Sequence, residues 1–148
     1  MTTLDSSPDL PPLELRTHGH PESVTETRRK VGEYAEAGGA NRRDVELAVA
    51  EAVSNAVVHA FVGRDNGVIS VRAEIEGPNQ LLVQVADNGS GILAPATSPR
   101  AGFGLPIIGA VTDSAEIHSG NRGTRLELRF PRVLEARVEA SEPAPEWP

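Results

Sequence analysis

Three residues with chemistry in their side chains stand at i, i+4 and i+8 in the stretch Asp44–Val62: Glu51, Asn55 and His59. On a helix that spacing stacks a carboxylate, an amide and an imidazole on one face. Their surroundings are apolar. Val45, Val49, Ala52, Val53, Ala56 and Ala60 recur at helical spacing, and Leu47, Ala48, Ala50 and Val58 make most of the remaining surface apolar too. The stretch therefore reads as a helix covered on more than one side, with the polar row along the edge of its core stripe. Stranding even a neutral polar group in such a place costs on the order of 1–3 kcal/mol. Either the protein or a bound ligand must supply partners. For His59 the plainer reading is a packed or hydrogen-bonded core histidine.

Two glycine-bearing motifs follow. In Asp87-Asn88-Gly89-Ser90-Gly91 the aspartate ends an alternating run in which Leu81, Val83 and Val85 share its face, so the strand phase points it inward. A buried acid needs a donor, and an amino group such as the exocyclic one of adenine is a good neutral donor. Gly89 and Gly91 allow backbone to approach a flat ring. The structural alternative is an aspartate stabilising a turn. Further on, Gly102-Phe103-Gly104-Leu105 precedes a helix-like run, where backbone N–H groups at a helix start can receive phosphate. Its alternative is a hinge. Neither motif has the spacing of a dinucleotide fingerprint, a P-loop or a calcium loop.

The elements that position these groups are legible from periodicity. PLELRTH alternates as a short strand. Pro21-Glu22-Ser23 opens a helix running to about Ala37, with Ser23 and Glu26 at capping-box spacing and Gly38-Gly39 as its stop. Asn41 is placed to cap the central helix. VISVRAEIE and QLLVQVAD form a hairpin through Gly77-Pro78-Asn79. Residues 88–101 are loop by composition, and a helical run follows in which Pro106 is tolerable only in the first turn. SAEIHSG and TRLELRF are strands around Asn121-Arg122-Gly123, with Thr124, Leu126, Leu128 and Phe130 on one face. Half-buried strands joined by hairpins, with helices for the other layer, specify a two-layer α/β (α+β) sandwich. Its sheet is mixed and largely antiparallel, with the helices on one face. Residues 1–11 read as a disordered lead-in, 12–131 as the domain and 132–148 as an acidic, Pro-rich tail.

Composition narrows the class. The 148 residues suit one core, and with aromatics at 3% that core must be Val, Ile, Leu and Ala. A formal net charge of −7 argues against direct nucleic-acid binding. No apolar run approaches the roughly 20 residues of a membrane span, and MTTLDSSPDLPP lacks a signal peptide's basic and apolar regions. Without cysteine there is no disulfide and no thiolate metal site. The cytoplasm is the expected compartment. The basic run Arg28-Arg29-Lys30 reads as a solvated helix face.

Taken in order, E-x-x-x-N on a helix, D-x-G-x-G at a strand end, GxG-L before a helix and G-T into a strand are far more specific than any one alone. The chain resembles the GHKL ATPase superfamily over roughly Leu13–Phe130. EAVSNAVVHA, DNGSGI and GFGLPII look most like its anti-sigma-factor serine kinases of the RsbW and SpoIIAB type. The resemblance implies a Bergerat-type ATP-binding fold, ATP and Mg²⁺ as cofactors, and phosphorylation of serine or threonine on a protein. By motif, Glu51 would be the general base and Asn55 the Mg²⁺ ligand. Asp87 would bind the adenine amino group, with Gly89 and Gly91 beside the ring and Thr124 as a nearby polar contact. Gly102 and Gly104 would cradle phosphates, and Arg100 would neutralise charge in the lid. The partners implied are a sigma factor, an anti-anti-sigma protein of the STAS type as substrate, and a second copy in a homodimer. The lid ILAPATSPRA is short and lacks the longer Phe- and Lys-containing segment of some relatives. It supplies the ground for the alternative, a non-catalytic ATP-binding or partner-binding regulatory module.

Overall fold

The computed structural model describes residues 10–57, 67–88, 105–120 and 123–133. Period-two alternation of apolar side chains becomes five strands: β1 (Leu13–His18), β2 (Val68–Glu76), β3 (Gln80–Asp87), β4 (Ser114–Gly120) and β5 (Gly123–Pro131). They form one sheet in the order β1-β2-β3-β5-β4, and all four pairings are antiparallel. The helices are α1 (Glu22–Ala37), α2 (Arg42–Asn55) and α3 (Leu105–Val111).

One core lies between the layers. Ile69, Val71 and Ala73 of β2, Leu81, Val83 and Val85 of β3, and Leu126, Leu128 and Phe130 of β5 meet Val31 and Ala35 of α1. Val45, Ala48, Val49, Ala52 and Val53 of α2 and Ile108 of α3 complete it. The expected stripe on α2 is buried as far as Ala56, while Leu47 stays 42% exposed. That side chain therefore lies outside the cover that α1, α3 and the sheet give the helix. At Gly32 of α1 a Cβ would run into the Glu46 side chain of α2.

The opposite sheet face is polar and largely self-neutralised. Arg72 pairs with Glu14 and with Glu74 at 3.0 Å, Arg129 with Glu76 at 2.8 Å, and Arg125 with Glu127 at 3.3 Å. Among the described residues the helices thus occupy one face only.

Local chemistry sets the ends. Asn41 caps α2 as expected, its Oδ1 accepting the Asp44 N–H at 2.9 Å. Pro106 falls in the first turn of α3, and the Thr112 hydroxyl closes its end by donating to Ile108 O at 2.9 Å. The start of α1 differs from the capping box its sequence predicts. Pro21 occupies the cap, no side chain caps the helix, and Ser23 lies inside the first turn. There its hydroxyl donates to His18 O at 2.9 Å and lies 2.8 Å from Thr17 Oγ1, tying α1 to the end of β1. No helix among the described residues is long and apolar enough to cross a membrane.

Candidate functional site

The strand phase that buries Leu81, Val83 and Val85 carries on to Asp87, which is only 9% exposed. Its cross-strand partners are Ile69 on β2 and Thr124 on β5, and Thr124 is equally buried at 7%. A carboxylate and a hydroxyl thus sit side by side at the ends of two central strands, facing the helix layer. Ser119 of β4 extends the polar group, its Oγ 3.3 Å from Thr124 Oγ1. Burying a carboxylate against an apolar layer is costly without donors. An acceptor-only group beside a hydroxyl that donates or accepts suits the amino-bearing edge of a flat heterocycle.

Two neighbours hold this corner, and their structural work is not apparent in the sequence. Asn88 Oδ1 accepts the Val68 N–H at 2.9 Å, while the Asn88 N–H donates to Val68 O at 3.3 Å. On the other flank, Gly123 adopts φ +122°, where L side chains are strained, and a Cβ there would overlap the Asp87 carbonyl oxygen. The available signals were a side-chain acceptor directly after the last inward strand residue, and a glycine before the inward threonine. Neither reveals its partner, because each partner is distant in sequence.

Glu51 and Asn55 come from α2, one turn apart and both half-buried, at the edge of the stripe formed by Val45, Val49, Ala52 and Val53. After Asn55 the backbone passes into a wider, π-type turn at Ala56 and Val57, a distortion common at functional sites. The α2 helix packs on β3. Among the described residues no ion pair engages Glu51. The Asn55 amide oxygen is a neutral hard donor. It fits a Mg²⁺ held mainly by phosphates better than a cation bound by a protein cage.

One carboxylate-imidazole group lies elsewhere. Glu116, His118 and Glu127 converge on the outer sheet face, where Gln84 donates to Glu127 at 3.0 Å and Arg125 also pairs with it. Cationic side chains already provide countercharge there, on the face away from α2. His59, Gly89, Gly91, Arg100, Gly102 and Gly104 lie outside the described residues.

Known proteins resemble this chain in sequence and fold. The anti-sigma F factor of Clostridium kluyveri is 34% identical over 98 residues, covering 58% of this chain and 68% of that protein. The anti-sigma F factor of Clostridium beijerinckii is 31% identical over 99 residues, with the same coverage. The solved RsbU and RsbW domains of a Mycobacterium tuberculosis protein superpose with a TM-score of 0.65 at 27% identity. That match covers 83% of this chain and 33% of the solved one. A histidine kinase domain from the Erythrobacter litoralis blue-light activated histidine kinase shares the fold, with a TM-score of 0.55 at 21% identity. There the match covers 76% of this chain and 64% of that domain. The model of the histidine kinase-like ATPase domain matches residues 18–130, from the end of β1 to the end of β5. The chain belongs to that family, the GHKL type.

Proposed function

We propose that this chain is an ATP-dependent serine/threonine protein kinase and anti-sigma factor, which binds a sigma factor and phosphorylates an anti-anti-sigma protein of the STAS type. The observation that carries the reading is Asp87, a carboxylate buried between the layers at the end of β3 beside Thr124. Family membership and the names of the anti-sigma F relatives support it. In this reading Asp87 accepts a hydrogen bond from the adenine amino group, and Thr124 adds a polar contact. Asn55 offers its amide oxygen to Mg²⁺, which supplies charge neutralisation across the nucleotide phosphates when bound.

Phosphoryl transfer then asks little covalent chemistry of the protein beyond placement and a base. Glu51 takes the proton of the substrate hydroxyl as its oxygen bonds to the γ-phosphorus. The bond from that phosphorus to the bridging oxygen breaks, and ADP leaves with its electron pair. Glu51 lies one helical turn from Asn55, so base and metal ligand belong to one rigid element. By the motif resemblance, Arg100, Gly102 and Gly104 would serve the phosphates, and Gly89 and Gly91 the adenine ring. The cytoplasm is the compartment that goes with a sigma-factor partner.

The test is a capture experiment repeated with ATP and with ADP, followed by mass spectrometry of the captured antagonist. The proposal expects a sigma factor held by the protein, and phosphoserine or phosphothreonine on a STAS-type partner only with ATP. A parent protein that binds ATP and partner but never phosphorylates the isolated partner is the non-catalytic module instead.

A further inference from the structure

The β2–β3 ladder ends in an unusual way beside Asp87. Register pairs Ile69 with Asp87 at the end of the ladder, so the next pair outward is Val68 with Asn88. The Asn88 N–H makes the ordinary backbone bond to Val68 O at 3.3 Å. The reciprocal donor, Val68 N–H, goes to the Asn88 side chain at 2.9 Å and not to a backbone carbonyl. A side-chain oxygen thus stands in for the backbone carbonyl that would otherwise accept this bond. The strand is thereby pinned to β2 through residue 88. On the β5 flank, Gly123 lets the neighbouring strand close on the Asp87 carbonyl, where a Cβ would overlap it. Asp87 is therefore held on both sides by contacts that do not use its carboxylate.

We infer that Asn88 is a positioning residue for the nucleotide base. Its Oδ1 bond to Val68 fixes where the Asp87 carboxylate stands, and Gly123 is its counterpart across β3. The inference rests on the reading of Asp87 as the adenine acceptor. Asn88 itself is exposed and acts through the ladder. Losing the Oδ1 bond frees the last residues of β3, and the carboxylate no longer meets the amino group in line. A one-ångström misplacement weakens a directional hydrogen bond far more than it weakens apolar packing. Base selectivity should therefore fall before stability does.

The experiment compares the full chain with Asn88→Ala, Asn88→Asp and Asp87→Ala, titrating each with ATP and GTP and recording the melting temperature. Asn88→Ala should bind ATP roughly tenfold more weakly and lose part of the ATP-over-GTP preference, at a temperature where it is fully folded. Asn88→Asp keeps an oxygen acceptor at the same reach and should restore both affinity and preference. Should Asn88→Ala not fold, Asn88→Gln carries the same amide one methylene further out and is expected to show the same loss. Unchanged ATP affinity and preference in a folded Asn88→Ala protein, beside a clear loss in Asp87→Ala, overturns the positioning role alone. Unchanged binding in Asp87→Ala as well overturns the adenine reading, and the inference with it.

Discussion

Asp87 is a carboxylate buried at the edge of an apolar layer. On the proposed reading, Asp87→Ala weakens ATP and ADP alike by about ten- to hundredfold, the ~1.5–3 kcal/mol of a charge-assisted hydrogen bond. Competition titrations against GTP check this, and equal affinity for the two purines in the parent contradicts the adenine assignment. Asn55 makes a different prediction. It offers one neutral oxygen, so it cannot hold Mg²⁺ tightly by itself. ATP affinity should depend on Mg²⁺ in the parent and much less in Asn55→Ala, and a tight Mg²⁺ site in the absence of nucleotide contradicts the assignment. These residues could be read from sequence because helical and strand periodicities state which face a side chain occupies. Asp87 and Thr124 are buried and Glu51 and Asn55 half-buried, as those periods required. Asn88 and Gly123 could not be read this way, since their effect depends on Val68 and on Asp87 across the sheet.

At the scale of the element, the strands were legible and one helix start was not. Alternating apolar positions set β2, β3 and β5 with their inward faces correctly assigned, because a one-residue slip would have exposed the whole set. Ser23 misled for an equally physical reason. A hydroxyl three residues before a glutamate resembles a cap, yet the end of β1 competes for that hydroxyl and Pro21 already fits the first turn. Ser23→Ala should therefore cost about 1 kcal/mol by loosening the β1–α1 joint. Glu26→Ala should cost much less, because Glu26 makes an exposed pair with Lys30 and no cap. Asn41→Ala removes a real cap and should lower stability by about 1 kcal/mol, or roughly 4 °C in melting temperature. Thermal unfolding of the three variants separates a cap from a latch; equal losses in Ser23→Ala and Glu26→Ala restore the capping box.

Across the whole molecule, the two layers are joined at the end away from Asp87 by a residue that composition places in the tail. Arg132 is 5% exposed. Its Nε donates to Gly38 O at 2.7 Å, and Nη1 to Gly77 O and Pro78 O at 3.1 Å each. One guanidinium thereby ties the end of α1 to the β2–β3 turn and the end of β5, and Val133 N–H adds a bond to Gly39 O at 2.9 Å. The acidic, Pro-rich context of Arg132 hides this, because a fork of donors is invisible until its carbonyls are brought together. Arg132→Ala should destabilise the domain by about 3 kcal/mol, with Arg132→Lys recovering only part. The proposed nucleotide site at the Asp87 end should keep its ATP affinity in any folded fraction. Catalysis is the claim that membership of the family leaves open, and Glu51 decides it. Glu51→Gln preserves size and hydrogen bonding but removes the proton acceptor. The decisive measurement is phosphotransfer from ATP to the purified STAS-type partner by parent and Glu51→Gln proteins, with melting temperature and ATP affinity taken on the same preparations. The account predicts a rate lower by ~10²–10⁴ with stability and ATP binding little changed. A stable, ATP-binding Glu51→Gln protein with an undiminished rate contradicts it.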